Sequence, residues 1–211
     1  NDWVASIARQ SPETFIPFES VDQWSGKQAI YEVERAAKDL GIKGIKFIPM
    51  TQEFYPNDHR FYPIYEKIAE LGLIAMFHTG TTAVGAGLPG GGGVHLKYTK
   101  PIPYIDDVAA DIPELTIVMA HPAFPWQEEQ LAVLVHKPNV YMDISGWSPK
   151  YFSPLLIQYA NTLIKHKVLF GSDYPGITPE RWIRDFREAP FEDDVRPLIL
   201  LENAKRLLNI R

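Results

Sequence analysis

The chain has 211 residues, 45% of them hydrophobic and 22% charged, and a net charge of −5. This suits one domain with a sizeable core. The scattered lysines and arginines speak against nucleic acid as a partner, and no apolar run approaches the ~20 residues that cross a bilayer. Having no cysteines, the chain can form neither disulfides nor thiolate metal sites.

The sequence opens on "NDWVASIARQ", without an initiating Met, in what reads as the middle of an amphipathic helix with Trp3, Val4, Ile7 and Ala8 on one face. A processed product or a fragment is one expectation. "FIPFESV" is short, aromatic and β-branched, and predicts a strand. "SGKQAIYEVERAAKDLG" predicts a helix, with Ser25 and Gln28 at capping-box spacing and Gly41 at its stop. Next come a strand in "GIKFIPM", a helix in "YPIYEKIAELG" and a strand in "LIAMFHTG". The alternation continues with a helix in "PIPYIDDVAADIP", a strand in "LTIVMAHP", a helix in "WQEEQLAVLVHKP" and a strand in "NVYMDISG". A helix in "PLLIQYANTLIKH" and a strand in "KVLFGSDYP" follow. Two helices close the chain: "TPERWIRDFREA", with Thr178 as N-cap and Pro179 in its first turn, and "DDVRPLILLENAKRLLNI". Six strands alternating with helices, several of them near-continuous apolar runs, predict a parallel sheet covered on its outer face, in a single domain over residues 1–211.

His78, His121, Asp143 and Asp173 each fall at or just after the end of an apolar run. In parallel α/β folds the functional loops gather at that end. One such residue is ordinarily a cap or a satisfied hydrogen-bond partner; several together suggest a site. Two imidazoles and a carboxylate suit a borderline divalent ion such as zinc, whose bound water a neighbouring carboxylate can deprotonate. Arg60 is a candidate clamp for a substrate carboxylate, and Trp126 a candidate wall for the site. Asn57 and Asp58 read as helix caps. "GAGLPG" matches G-x-G-x-x-G in form, but no helix opens after it, so it is not a dinucleotide site. His95 in that glycine-rich loop is expected in solvent, and His59, His136 and His166 carry no expected function.

The stretches "GIKGIKF", "YPNDHRFYPIYEKIAELGLIAMFHTG", "IVMAHPAFPW", "NVYMDISG", "LFGSDYP" and "ENAKRLL" together resemble the amidohydrolase superfamily. The nearest branch is the amidohydrolase-2 group of metal-dependent hydrolases and non-oxidative decarboxylases. The resemblance implies a TIM-barrel-like (β/α)8 fold in which "FIPFESV" is strand 3, so this chain would hold strands 3 to 8 of an incomplete barrel. It implies that His78 binds a divalent metal, that His121 binds the metal or polarises substrate and water, and that Asp173 binds the metal and shuttles a proton. Zinc is the expected ion, with manganese as the alternative. Asp143 has no fixed role in the family and reads as structural. Lys46 matches a strand-4 lysine that bridges two metals in some relatives; because this branch uses one metal, a structural role is expected. The family's His-x-His pair on strand 1 has no counterpart here, which implies weak metal binding or none in this chain.

The sequence therefore predicts a metal-dependent hydrolase of a small carboxylate-bearing molecule. The alternatives are a non-oxidative decarboxylase of an aromatic or unsaturated acid, and a non-catalytic barrel remnant acting as an oligomeric scaffold. Two unpaired sheet edges predict a homo-oligomer. With no signal peptide at its start, the chain is expected in the cytoplasm.

Overall fold

A computed structural model describes residues 1–210; Arg211, the end of the expected domain, lies outside them. Six parallel strands form one sheet in chain order: β1 (Phe18–Glu19), β2 (Gly44–Phe47), β3 (Ile74–His78), β4 (Thr116–Ala120), β5 (Val140–Asp143) and β6 (Val168–Leu169). The helices are α1 (Asp2–Gln10), α2 (Lys27–Asp39), α3 (Pro49–Gln52), α4 (Tyr62–Glu70), α5 (Asp106–Asp111), α6 (Gln127–His136), α7 (Pro154–Asn161), α8 (Pro179–Glu188) and α9 (Asn203–Leu208). Each neighbouring strand pair is parallel, with Gly44 opposite Ile74 and Ile74 opposite Thr116. The six strands are the ones expected, and they make the arc of an open barrel.

Alternation along the strands sorts side chains to two sides. Ile45, Phe47, Ala75, Phe77, Ile117, Met119, Val140, Met142 and Val168 join the main core with α2, α4, α6 and α7. On the inner face, Ile74, Val118 and Leu169 form a smaller cluster with Phe18, Met76 and Tyr141, and Ala204, Leu207 and Leu208 of α9 pack against it. No helix among the described residues is long and apolar enough to cross a membrane.

Several boundaries differ from the expected ones for local reasons. β1 pairs over two residues because it has one neighbour and follows Pro17, which lacks an N–H. The capping box at Ser25 and Gln28 does not form. Asp22 already caps a short turn at Gln23–Ser25 through Trp24 N (3.0 Å), the Ser25 hydroxyl donates to Asp22 O, and Gly26 (φ 57°) leads straight into α2. The helix expected to run to His166 stops at Asn161, whose side chain is held by Pro190 O and Glu192 N. The last helix is interrupted after Pro197 by a wide turn over Leu198–Glu202. Thr178 and Pro179 do open α8, with the Thr178 hydroxyl accepting from Arg181 N. Gly41 (φ 69°) and Gly72 (φ 65°) follow the ends of α2 and α4 in the left-handed conformation that glycine tolerates.

Candidate active site

At the C-terminal ends of the strands a cavity of about 430 Å³ is lined by Lys46, Met50, His78, His121, Trp147 and Asp173, among others. Of three larger hollows, the one between α7 and α8 and the one beside Trp24 contain no histidine, and the one beside α6 contains His136 alone. The smaller cavity is therefore where the chemistry-bearing groups converge.

His78 is the last residue of β3, and His121 follows β4. Because β3 and β4 are neighbours, the two rings meet at 4.6 Å between centroids, inclined by 63°. His78 Nε2 lies 3.0 Å from the carbonyl of Thr81. A carbonyl can only accept, so Nε2 carries the hydrogen and Nδ1 keeps its lone pair. Burial holds the His78 pKa down at about 3, and the neighbouring His121 and Lys46 push it the same way, so the ring is neutral at ordinary pH.

His121 and Asp173 have φ of 72° and 66°, in the left-handed region that side chains with a Cβ rarely adopt. Around His121 the surrounding bonds hold that geometry. Gln130 Nε2 donates to His121 O (2.8 Å), and Asp143 Oδ1 accepts from His121 N (3.3 Å). Asp143 Oδ1 also accepts from Ser145 N (3.0 Å), the capping role expected of it, and from the Ser145 hydroxyl. Ser145 Oγ in turn lies 2.8 Å from His121 Nδ1. Lys46 reaches the cavity from the end of β2. Burial depresses its pKa, while the charges of Asp143 and Asp173 act to raise it.

His78, His121 and Asp173 therefore line one cavity. Arg60 does not join them. Its guanidinium is bound by Asp58, two residues away, and lies over the Trp24 ring at 5.0 Å; a carboxylate so near in sequence captures it before a distant site can. Trp126 does not line the cavity either. It leads into α6 with Lys100 Nζ over its ring at 5.8 Å. Trp147 supplies the aromatic wall instead. The donor types suit a divalent cation, with two imidazoles beside one another and an aspartate lining the same cavity. Their number falls short: among the described residues no group of three or more His, Asp or Glu is arranged to hold a metal ion. Ser145, Gly146, Trp147 and Thr81 were not singled out in the sequence; the one available signal was a hydroxyl two residues after Asp143 in "MDISG".

Residues 1–210 match the amidohydrolase family. An uncharacterised TIM-barrel protein of Bordetella bronchiseptica is 30% identical, with a TM-score of 0.85 over 99% of this chain and 71% of its own. The chain belongs to the amidohydrolase family. The likeness makes the six-stranded arc an incomplete TIM barrel. A second solved structure is the 5-carboxyvanillate decarboxylase of Novosphingobium aromaticivorans (D314N mutant) with bound manganese and 3-methoxy-4-hydroxy-5-nitrobenzoic acid. It is 19% identical, with a TM-score of 0.73 over 99% of this chain and 69% of its own, and shares the fold. Among curated proteins, the 2-amino-3-carboxymuconate-6-semialdehyde decarboxylase of Dictyostelium discoideum is 27% identical over 78 residues, 37% of this chain. That match takes in 22% of the relative's length.

Proposed function

We propose that this amidohydrolase-family chain serves a non-oxidative decarboxylase of an aromatic or unsaturated carboxylic acid, in preference to the hydrolase first expected. The observation that carries the reading is the cavity's single lysine, the half-buried Lys46, set among two histidines, an aspartate and Trp147 at a volume suited to a small planar acid. The decarboxylases among its relatives support the choice of reaction. The manganese bound in one of them favours that ion over zinc. His78 and His121 are the residues of this chain that would contribute to holding a divalent cation, though two imidazoles alone fall short of a full ligand set.

The residues of the chain divide the remaining work. Lys46 binds the carboxylate, and the weak hydration of its half-buried ammonium strengthens that contact. Trp147 packs against the ring or conjugated chain. Asp173 relays a proton to the carbon that bears the carboxylate. The bond to the carboxylate then breaks, its electrons return to the carbon skeleton, and CO₂ leaves. The free edge of β1 fits a homo-oligomer.

The test supplies hydroxylated aromatic acids and unsaturated dicarboxylic acids with Mn²⁺, measuring loss of the acid and release of CO₂ together. Equimolar CO₂ is expected, with kcat reduced by ~10²-fold or more in Asp173→Asn and KM raised ~10- to 100-fold in Lys46→Met. Turnover of esters, lactones or amides with no CO₂ from any acid would return the protein to the hydrolase reading.

A further inference from the structure

The hydrogen bonds around His121 bear on which ring nitrogen is protonated, and they involve two residues with no role in the reaction described above. Asp143 Oδ1 accepts two backbone N–H groups, from Ser145 (3.0 Å) and His121 (3.3 Å). An oxygen that accepts both bears no hydrogen of its own, so the short contact between it and Ser145 Oγ needs the serine hydroxyl as donor. Ser145 has one hydrogen to give. Having given it to Asp143, it can only accept at its 2.8 Å contact with His121 Nδ1. The reverse arrangement would set oxygen lone pairs of Asp143 and Ser145 against each other at the shortest contact in the cluster. All three residues are under 10% exposed, so water has little access to compete.

We propose that Ser145 and Asp143 are positioning residues that hold His121 as its Nδ1–H tautomer, leaving the Nε2 lone pair free for the reaction. The inference deepens the decarboxylase reading of this same site and rests on it for the word reaction. The arrangement complements His78, where Thr81 O fixes the hydrogen on Nε2 and leaves Nδ1 free. Each ring of the adjacent pair then has one nitrogen tied to the protein and one unprotonated. Gly146 gives the His121 ring its place: a Cβ there would come within 2.8 Å of Nδ1, on a backbone already at φ 74°. Asp143 acts twice, once on the His121 backbone and once, through Ser145, on its ring.

The tautomer is read directly by nitrogen NMR of the metal-free chain labelled in histidine, with the His121 signal identified by its loss in His121→Gln. Wild type is expected to show a protonated, pyrrole-type Nδ1 and an unprotonated, pyridine-type Nε2. Ser145→Ala is expected to give Nε2–H or a mixture, and the near-isosteric Ser145→Cys the same change should the alanine variant fold poorly. Asp143→Asn keeps an Oδ1 acceptor for all three donors and is expected to retain Nδ1–H. A wild-type ring with hydrogen on Nε2, or Nδ1–H unchanged in the Ser145 variants, overturns the proposal. Once a substrate is in hand, Ser145→Ala is expected to lower kcat by ~10- to 100-fold with KM changed far less. Should no acid be decarboxylated, the NMR result still decides the tautomer, so failure of the reaction and failure of the relay are told apart.

Discussion

At the scale of single residues, His78 gives the clearest pH signature. Its folded-state pKa of about 3 lies below the ordinary 6.5 because burial disfavours the charged ring. Between those values the unfolded chain binds more protons than the folded one, so stability is lost as pH falls through that window and is unaffected above it. One pH unit inside the window corresponds to ~1.4 kcal/mol. Urea titrations of the metal-free chain in chelator should therefore show wild type losing about 2 kcal/mol more than His78→Gln between pH 7 and pH 5. Equal losses would mean that His78 takes up a proton in the folded state as readily as in water. The sequence placed His78, His121 and Asp143 at strand ends, and Asp173 four residues past β6, because an apolar run followed by one ionisable residue is visible in a line of letters. It could not show Ser145 against His121, since that contact depends on β4 and β5 lying side by side. Arg60 and Trp126 were misassigned for the opposite reason: nearby partners, Asp58 and Lys100, hold them away from the cavity.

At the scale of elements, the apolar runs that predicted β2 to β5 were legible because both faces of those strands are covered. The edge strand was not legible in its true length. β1 keeps two paired residues, and its hold on the sheet depends on Gly44 of β2. A Cβ at Gly44 would overlap the Phe18 ring and approach Ile74 O to 2.8 Å. Phe18 stands directly opposite Gly44 in the register, so the ring fills the space that the glycine leaves. Gly44→Ala should force β1 outward and cost ~1–3 kcal/mol, the usual range for overpacking. Thermal unfolding would read the loss, and faster hydrogen exchange at Lys46 N, which faces β1, would place it at the β1–β2 pairing. A variant as stable as wild type would show that β1 shifts without cost and is only loosely joined to the sheet.

At the scale of the whole molecule, the arc has two ends, and they are treated differently. At β6 the C-terminal segment folds back over the strand. Phe170 N donates to Ile199 O (2.9 Å), and the fully buried side chain of Asn203 donates to Lys165 O (2.9 Å) and Val168 O (2.8 Å). These bonds occupy edge groups that would otherwise invite another strand. They also anchor α9, whose Ala204, Leu207 and Leu208 cover part of the inner apolar cluster. The "ENAKRLL" stretch, a late and unremarkable motif in the sequence, thus joins the last strand to the inside of the arc. Asn203→Ala removes both donors and leaves buried carbonyls unpaired, which should lower the unfolding free energy by about 2–4 kcal/mol. Because the same change frees the β6 edge, the variant should self-associate at concentrations where wild type does not, as read by sedimentation. Exposed Leu201→Ala serves as the control and should change stability by no more than ~0.5 kcal/mol. If Asn203→Ala matched that control in both measurements, the α9 contacts alone would hold the C-terminal segment, and the side-chain clip at β6 would be dispensable.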